Sequence, residues 1–168
     1  MSVLRGRAWV FGDQISTDQI LPGRYLDRSY AEVGQFAMAG ADEEFAQKVQ
    51  PGDIIVAGPN FGCGSSREAA AVALRQAGVA AVVAPSFSRI FYRNAVNQGL
   101  PAVAVPDVEG FEEGDTVEVD LENRRVRNVS RPGVEKPILN LQGVSRQILA
   151  AGGIVPFVKA RASAAHEA

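Results

Sequence analysis

Short, uninterrupted apolar runs recur through the first two thirds of the chain, with helical patterns between them. Ile54-Ile55-Val56-Ala57-Gly58 is one such run; it stops at Gly58-Pro59 and reads as a buried strand. Ala80-Ala81-Val82-Val83-Ala84 has the character of a strand covered on both faces, and residues 101–105 form a third run. Between the first two lies a helical stretch from about Ser66 to Ala77, nearly all small residues and stopped by Gly78. Between the second and third, Pro85-Ser86 opens a helix over residues 87–98 that Gly99 ends. Strand, helix, strand, helix, strand in that order predicts right-handed crossovers and parallel pairing.

The flanks carry other patterns. Residues 5–11 predict a first strand, ended by Gly12-Asp13, and residues 16–22 a polar loop anchored by Ile20 and Leu21. Residues 22–29 predict a mobile loop, followed by two short helices around 30–38 and 42–49. After Asp107, residues 116–121 alternate as a half-exposed strand does, and Asn123-Arg124 turns the chain back into 125–129, a hairpin. Residues 145–151 predict a last helix ended by Gly152-Gly153, and 154–158 a closing strand or extended segment. No repeat or linker divides the chain. Residues 1–160 are expected to be one domain and the Ala-rich residues 161–168 a flexible tail.

Composition narrows the class. The chain has 168 residues, 46% of them hydrophobic, enough for one domain with a real core. A net charge of -2 argues against a general nucleic-acid or membrane-surface binder. There is no signal-peptide pattern and no apolar run long enough to span a bilayer. The one cysteine, Cys63, allows no disulfide within the chain, which fits a reducing cytoplasm. Cys63 and the one histidine, His166, cannot by themselves hold zinc or an iron–sulfur cluster, so no metal is expected on this chain.

The candidate chemistry gathers at residues 60–68, Asn-Phe-Gly-Cys-Gly-Ser-Ser-Arg-Glu, between the first buried strand and the small-residue helix. Gly62 and Gly64 let the backbone turn sharply and approach a ligand. Ser65 or Ser66 can cap the helix, whose free N–H groups, with Arg67 beside them, suit a carboxylate or phosphate. The same residues also describe a plain glycine-rich turn with a capping serine. Asp18, flanked by hydroxyls, can orient a cation or merely close an Asx-turn. Arg24 and Arg28 can reach an anion or stay solvated. Cys63, between the two glycines, reads as a small filler rather than a reactive thiol. A phosphate-binding module is disfavoured by the missing Walker-type lysine and the incomplete Gly-x-Gly-x-x-Gly pattern.

Taken in register, these pieces resemble the small subunits of the aconitase-like hydro-lyases, the 3-isopropylmalate dehydratases in particular. The resemblance rests on Gly12-Asp13 with residues 16–22, on Arg24-Tyr25-Leu26, on 52–58 leading into 60–68, and on 86–94 with 97–101. It covers roughly residues 5–157. It implies an α/β fold, the swivelling β/β/α three-layer domain with a mixed, partly parallel sheet, closing over a larger partner. That partner would carry a [4Fe–4S] cluster on its own three cysteines, so this chain would bind no cofactor and be inactive alone. Carried over, Ser65 is the general base as an alkoxide, Ser66 and Arg67 hold that anion and a substrate carboxylate, and Asp18 is the acidic residue of the site. Gly64, Arg24, Tyr25 and Arg28 fall on the substrate side. The implied reaction converts 2-isopropylmalate to 3-isopropylmalate in leucine synthesis. Homoaconitate and methyl- or dimethylmalate are the alternative substrates, and a non-catalytic binding domain is the alternative class. Small subunits of this type can self-associate when isolated. Two departures stand out: Ala69 replaces a usual His, and Asp27-Arg28-Ser29 after Tyr25-Leu26 matches neither the tricarboxylate nor the isopropylmalate pattern.

Overall fold

In the computed structural model, which describes residues 3–167, the apolar runs become neighbouring strands. β1 (Val3–Val10), β2 (Ile54–Val56), β3 (Ala81–Ala84) and β4 (Ala102–Ala104) are joined side by side in parallel. On the other side of β1, β5 (Thr116–Asp120), β6 (Arg125–Asn128) and β7 (Glu135–Pro137) pair antiparallel. The seven strands run in the order β4-β3-β2-β1-β5-β6-β7, so β1 is the seam between a parallel and an antiparallel half.

Alternation along β2 and β3 sends neighbouring side chains into two cores. Ile55, Val82 and Ala84 join Trp9, Phe45 and the buried face of α3 (Glu68–Gln76) on one side. Ile54, Val56, Ala81 and Val83 join Val117, Val119 and Val126 of the antiparallel half on the other. The strands of both halves share the second core, which α4 (Arg89–Asn97), α5 (Val144–Ala151) and α6 (Ile154–Glu167) also reach through Val96, Ile148, Leu149, Ile154 and Phe157, while α3 covers the first. Each Val, Ile or Phe buried this way contributes about 1.5–3 kcal/mol. Six consecutive buried residues, Ala69 through Leu74, let α3 lie close on the sheet, as the run of small side chains predicts.

Two polar devices finish the sheet. Asn140 closes the free edge of β4: its amide nitrogen donates to Ala102 O and its oxygen accepts from Ala104 N, both at 2.9 Å. At the antiparallel end, Asn128, fully buried, donates to Asp115 Oδ2 and Gly110 O at 2.8 Å each. Asp115 also accepts from Glu112 N and Arg131 Nε at 2.9 Å. The hydrogen bond from Asn128, with those from Glu112 and Arg131, holds the Asp115 carboxyl below the usual carboxylate range.

Several expectations are corrected. The helix placed at 30–38 is a 3-10 turn, Val33–Phe36, and that at 42–49 shortens to α2 (Phe45–Lys48). The polar loop at 16–22 contains a one-turn helix, α1 (Thr17–Ile20). The second crossover helix is α4 (Arg89–Asn97), capped by Ser88. α5 (Val144–Ala151) ends at Gly152, which is left-handed at φ 94°. The closing segment at 154–158 is not extended: α6 (Ile154–Glu167) begins there and leaves α5 at 95°. Pro156 is compatible with this because the first turn of a helix has no use for its missing N–H. The tail predicted at 161–168 is accordingly helical as far as Glu167, with exposed side chains through Ala165. Among the described residues no single helix is long and apolar enough to cross a membrane.

Candidate functional site

Three loops meet at the C-terminal ends of the parallel strands, where open α/β sheets place their ligands. The loop after β1 and the loop after β3 flank the loop after β2 and hold it by main-chain bonds. Gly62 N donates to Ile15 O at 2.7 Å, and Thr17 N to Cys63 O at 2.8 Å. On the other side Phe61 N donates to Ser86 O at 3.1 Å, and Ser88 N to Phe61 O at 3.0 Å. The Ser88 hydroxyl donates to Gly62 O at 2.7 Å while capping α4. Gly62 has φ 82°, and a Cβ there would lie 2.2 Å from the Phe91 ring. Gly64 has φ 100°. Only glycine adopts such turns cheaply, and here they turn residues 64–66 outward to solvent.

The serines do not cap the helix. α3 begins at Glu68 with Arg67 in the capping position, and no side chain satisfies its first amides. Ser65 and Ser66 stand before the helix, exposed, with their hydroxyls free for other work. The Ser65 hydroxyl lies 3.2 Å from that of Thr17, which is buried. Thr17 is fixed in turn by α1, where Ser16 and Gln19 form a reciprocal capping box. Thr17 was not among the residues singled out from sequence; its one signal was its place in Ser16-Thr17-Asp18.

Arg67 is held rather than free. Its Nη1 donates to Asp18 Oδ1 at 3.0 Å and to Leu21 O at 3.1 Å, and Gly23 N donates to the same Asp18 oxygen at 3.0 Å. These bonds, led by the one from Arg67, hold the Asp18 carboxyl below its ordinary range; the nearby charge of Arg24 acts in the same direction. A guanidinium has five N–H donors, so Arg67 keeps three for a ligand. Asp18, Ser65 and Arg67 are thus brought together as the sequence suggests, with Gly64 and Ser66 beside them.

Arg24, Tyr25 and Arg28 form a separate stack. Arg24 lies over the Tyr25 ring at 4.7 Å, Tyr25 stacks on Phe36 at 4.0 Å and 8°, and Arg28 covers Phe36 at 5.5 Å. Arg28 also pairs with Asp27 at 3.9 Å. The loop is tied to α3 by Gln76, which donates to Tyr30 O and accepts from Gly34 N. Burial and the neighbouring Glu68 raise the Tyr30 phenol. Cys63 is half-buried, its thiol 3.6 Å from Gln14 O, as a filler would be. Among the described residues no three of His, Cys, Asp and Glu converge into a metal-binding group.

Comparison with known proteins bears on this geometry. Residues 14–107 match the aconitase C-terminal domain family. The chain is 53% identical to "3-isopropylmalate dehydratase small subunit 1" of Methanopyrus kandleri, over 98% of both chains. It is 49% identical to the "Isopropylmalate/citramalate isomerase small subunit" of Methanocaldococcus jannaschii, over 94% of this chain and 95% of that one. It is 46% identical to the "Methanogen homoaconitase small subunit" of the same organism, over 95% and 93%. A crystal structure of 3-isopropylmalate dehydratase from Methanocaldococcus jannaschii superposes with a TM-score of 0.93 at 43% identity, covering 98% of each chain.

Proposed function

Because the chain belongs to the aconitase C-terminal domain family, as a hydro-lyase small subunit of the 3-isopropylmalate dehydratase type, we propose that it supplies the base and the carboxylate clamp of that reaction. A small subunit has a large one, and Cys63 is this chain's only cysteine. The [4Fe–4S] cluster therefore belongs on the large subunit, where, when bound, it supplies the Lewis acid that accepts the leaving hydroxyl.

The chain's own residues carry the rest. Ser65 takes the proton from the carbon next to a substrate carboxylate. The C–H electron pair becomes the double bond as hydroxide departs; the reverse sequence, with water added at the other carbon, gives the isomer. A serine hydroxyl is basic enough only when its anion is stabilised. The buried Thr17 hydroxyl at 3.2 Å is placed to donate to that oxygen, the amides at the start of α3 lie alongside, and the partner closing over the site would exclude water. Arg67, pre-oriented by Asp18 and Leu21, holds the carboxylate next to the scissile C–H bond through its remaining donors. Asp18 is a positioning residue, and Ser66 and Gly64 shape the anion's surroundings.

The observation that carries this reading is the exposed Ser65 hydroxyl set against Thr17 and next to the clamped Arg67. In a complex reconstituted anaerobically with the large subunit, Ser65→Ala is expected to lose activity by about 10²–10⁴-fold with assembly intact. Near wild-type turnover by that variant, or full turnover by the small subunit alone, overturns it.

For the substrate, the reading is 2-isopropylmalate, in leucine synthesis. Arg28 is engaged with Asp27 and Phe36, and Leu26 stands exposed beside it, an arrangement better suited to a branched apolar group than to a third carboxylate. A panel of malate derivatives tests this: preference for a tricarboxylate would return the assignment to homoaconitate.

A further inference from the structure

A second basic site lies away from Ser65, between α4 and α5. A cavity of about 260 Å³ is lined there by Arg89, Tyr92, Arg93 and Asn97 from α4 and by Ser145 and Ile148 from α5. No carboxylate lines it. Neither Arg89 nor Arg93 is ion-paired among the described residues, as is true of several other arginines here, and these two line one cavity together. The two are one helical turn apart. Like charges at that spacing repel, and α4 contains no acidic residue to relieve them. An anion bound between the two guanidinia would relieve that repulsion.

None of the residues lining the cavity is hydrogen-bonded to Ser65, Thr17, Asp18 or Arg67 among the described residues. The anchors of the Asp18 loop, Ile20 and Leu21, belong to the core on the α3 side of the sheet. Val96 and Ile148, the apolar floor of the cavity, belong to the other core. Arg89 follows Ser88 at the start of α4, beside the loop after β2, and the cavity runs from there along α4 to Asn97, about 12 Å on.

We propose that the α4–α5 cavity binds a compact dianion, a short dicarboxylate or phosphate, through Arg89 and Arg93, independently of the catalytic site. Two forked guanidinia bind the charges, Tyr92, Asn97 and Ser145 offer further donors, and the apolar floor accommodates a carbon backbone. Both arginines are exposed, so affinity should fall as salt is added.

The test is calorimetric titration of the purified chain with succinate and, separately, with inorganic phosphate. Three proteins are compared: wild type, Arg67→Ala, and the double variant Arg89→Gln with Arg93→Gln. Binding is expected in wild type, and binding at the cavity should survive in Arg67→Ala even where the carboxylate clamp beside Ser65 is lost. In the double variant it should weaken at least about tenfold, ~1.4 kcal/mol. Tighter binding of succinate assigns the dicarboxylate class; equal or tighter phosphate binding assigns the phosphate class. Circular dichroism checks the fold of the double variant, and the single Arg93→Gln change carries the same readout if the pair disturbs α4. The proposal is overturned if wild type binds neither anion at millimolar concentration, if Arg67→Ala alone abolishes binding, or if the double variant binds as wild type does. Normal anion binding with failed assembly onto the large subunit would likewise overturn it, assigning the arginines to the partner.

Discussion

At the residue scale the site depends on a single carboxylate oxygen. Asp18 Oδ1 accepts from both Arg67 and Gly23, so one atom sets the direction of the guanidinium and the entry of the next loop. The Asp18→Asn substitution keeps the shape and removes the charge. It is expected to lower kcat/KM of the reconstituted complex by about 10²-fold through misplacement of Arg67. The pH consequence has a definite sign. The folded carboxyl titrates below its unfolded value, so the pair stabilises above the unfolded value and is lost as pH falls through the folded one. An NMR titration of the Asp18 carboxyl should give a midpoint below that of free aspartate, rising towards it in Arg67→Gln. An unchanged midpoint would mean that the pair does not hold Arg67 in solution.

At the element scale the loop after β2 is shaped by what it leans on. Gly62 faces Phe91 so closely that Gly62→Ala must both strain a positive-φ residue and displace a ring. A loss of about 2–5 kcal/mol in urea unfolding is expected. At the antiparallel end, Asn128→Ala strips a donor from Asp115 and leaves Gly110 O unpaired, with an expected loss of about 2–3 kcal/mol. Because Asp115 also titrates low, that loss should shrink as pH falls through its folded value. Elements with one strong local cause were legible in the sequence. β2, β3 and β4 are wholly apolar and bracketed by Gly or Pro, and α3 and α4 stop at the predicted glycines. The candidate site was legible as a set of residues but not as a geometry. Ser65 and Ser66 look like caps because hydroxyls before a helix usually are; here the helix starts later and leaves them free. β7 went unseen because Pro137 argues against a strand, yet an edge strand tolerates proline. The Ile154-Val155 pair looks extended until Gly152 has ended α5 and reset the chain for α6.

At the scale of the whole molecule, the two cores divide the labour. One supports the loops of the candidate site through Ile20, Leu21, Phe61 and Phe91; the other joins the parallel and antiparallel halves through Val83, Val103, Val117 and Val126. α6 belongs weakly to the second, through Ile154 and Phe157. Removing residues 161–168 is therefore expected to change stability by no more than about 0.5 kcal/mol and to leave assembly with the large subunit intact. A large drop in the denaturation midpoint would show that the helix end is structural.

The central position of β1 has a consequence for synthesis. This strand is made before the other six, yet one of its two neighbours, β5, is encoded more than a hundred residues later. At about 5–20 residues per second, its second side waits roughly 5 to 20 seconds for a mate. Stalled nascent chains ending before residue 116 should therefore be cut readily by protease at the N-terminus, and chains released past 137 should resist.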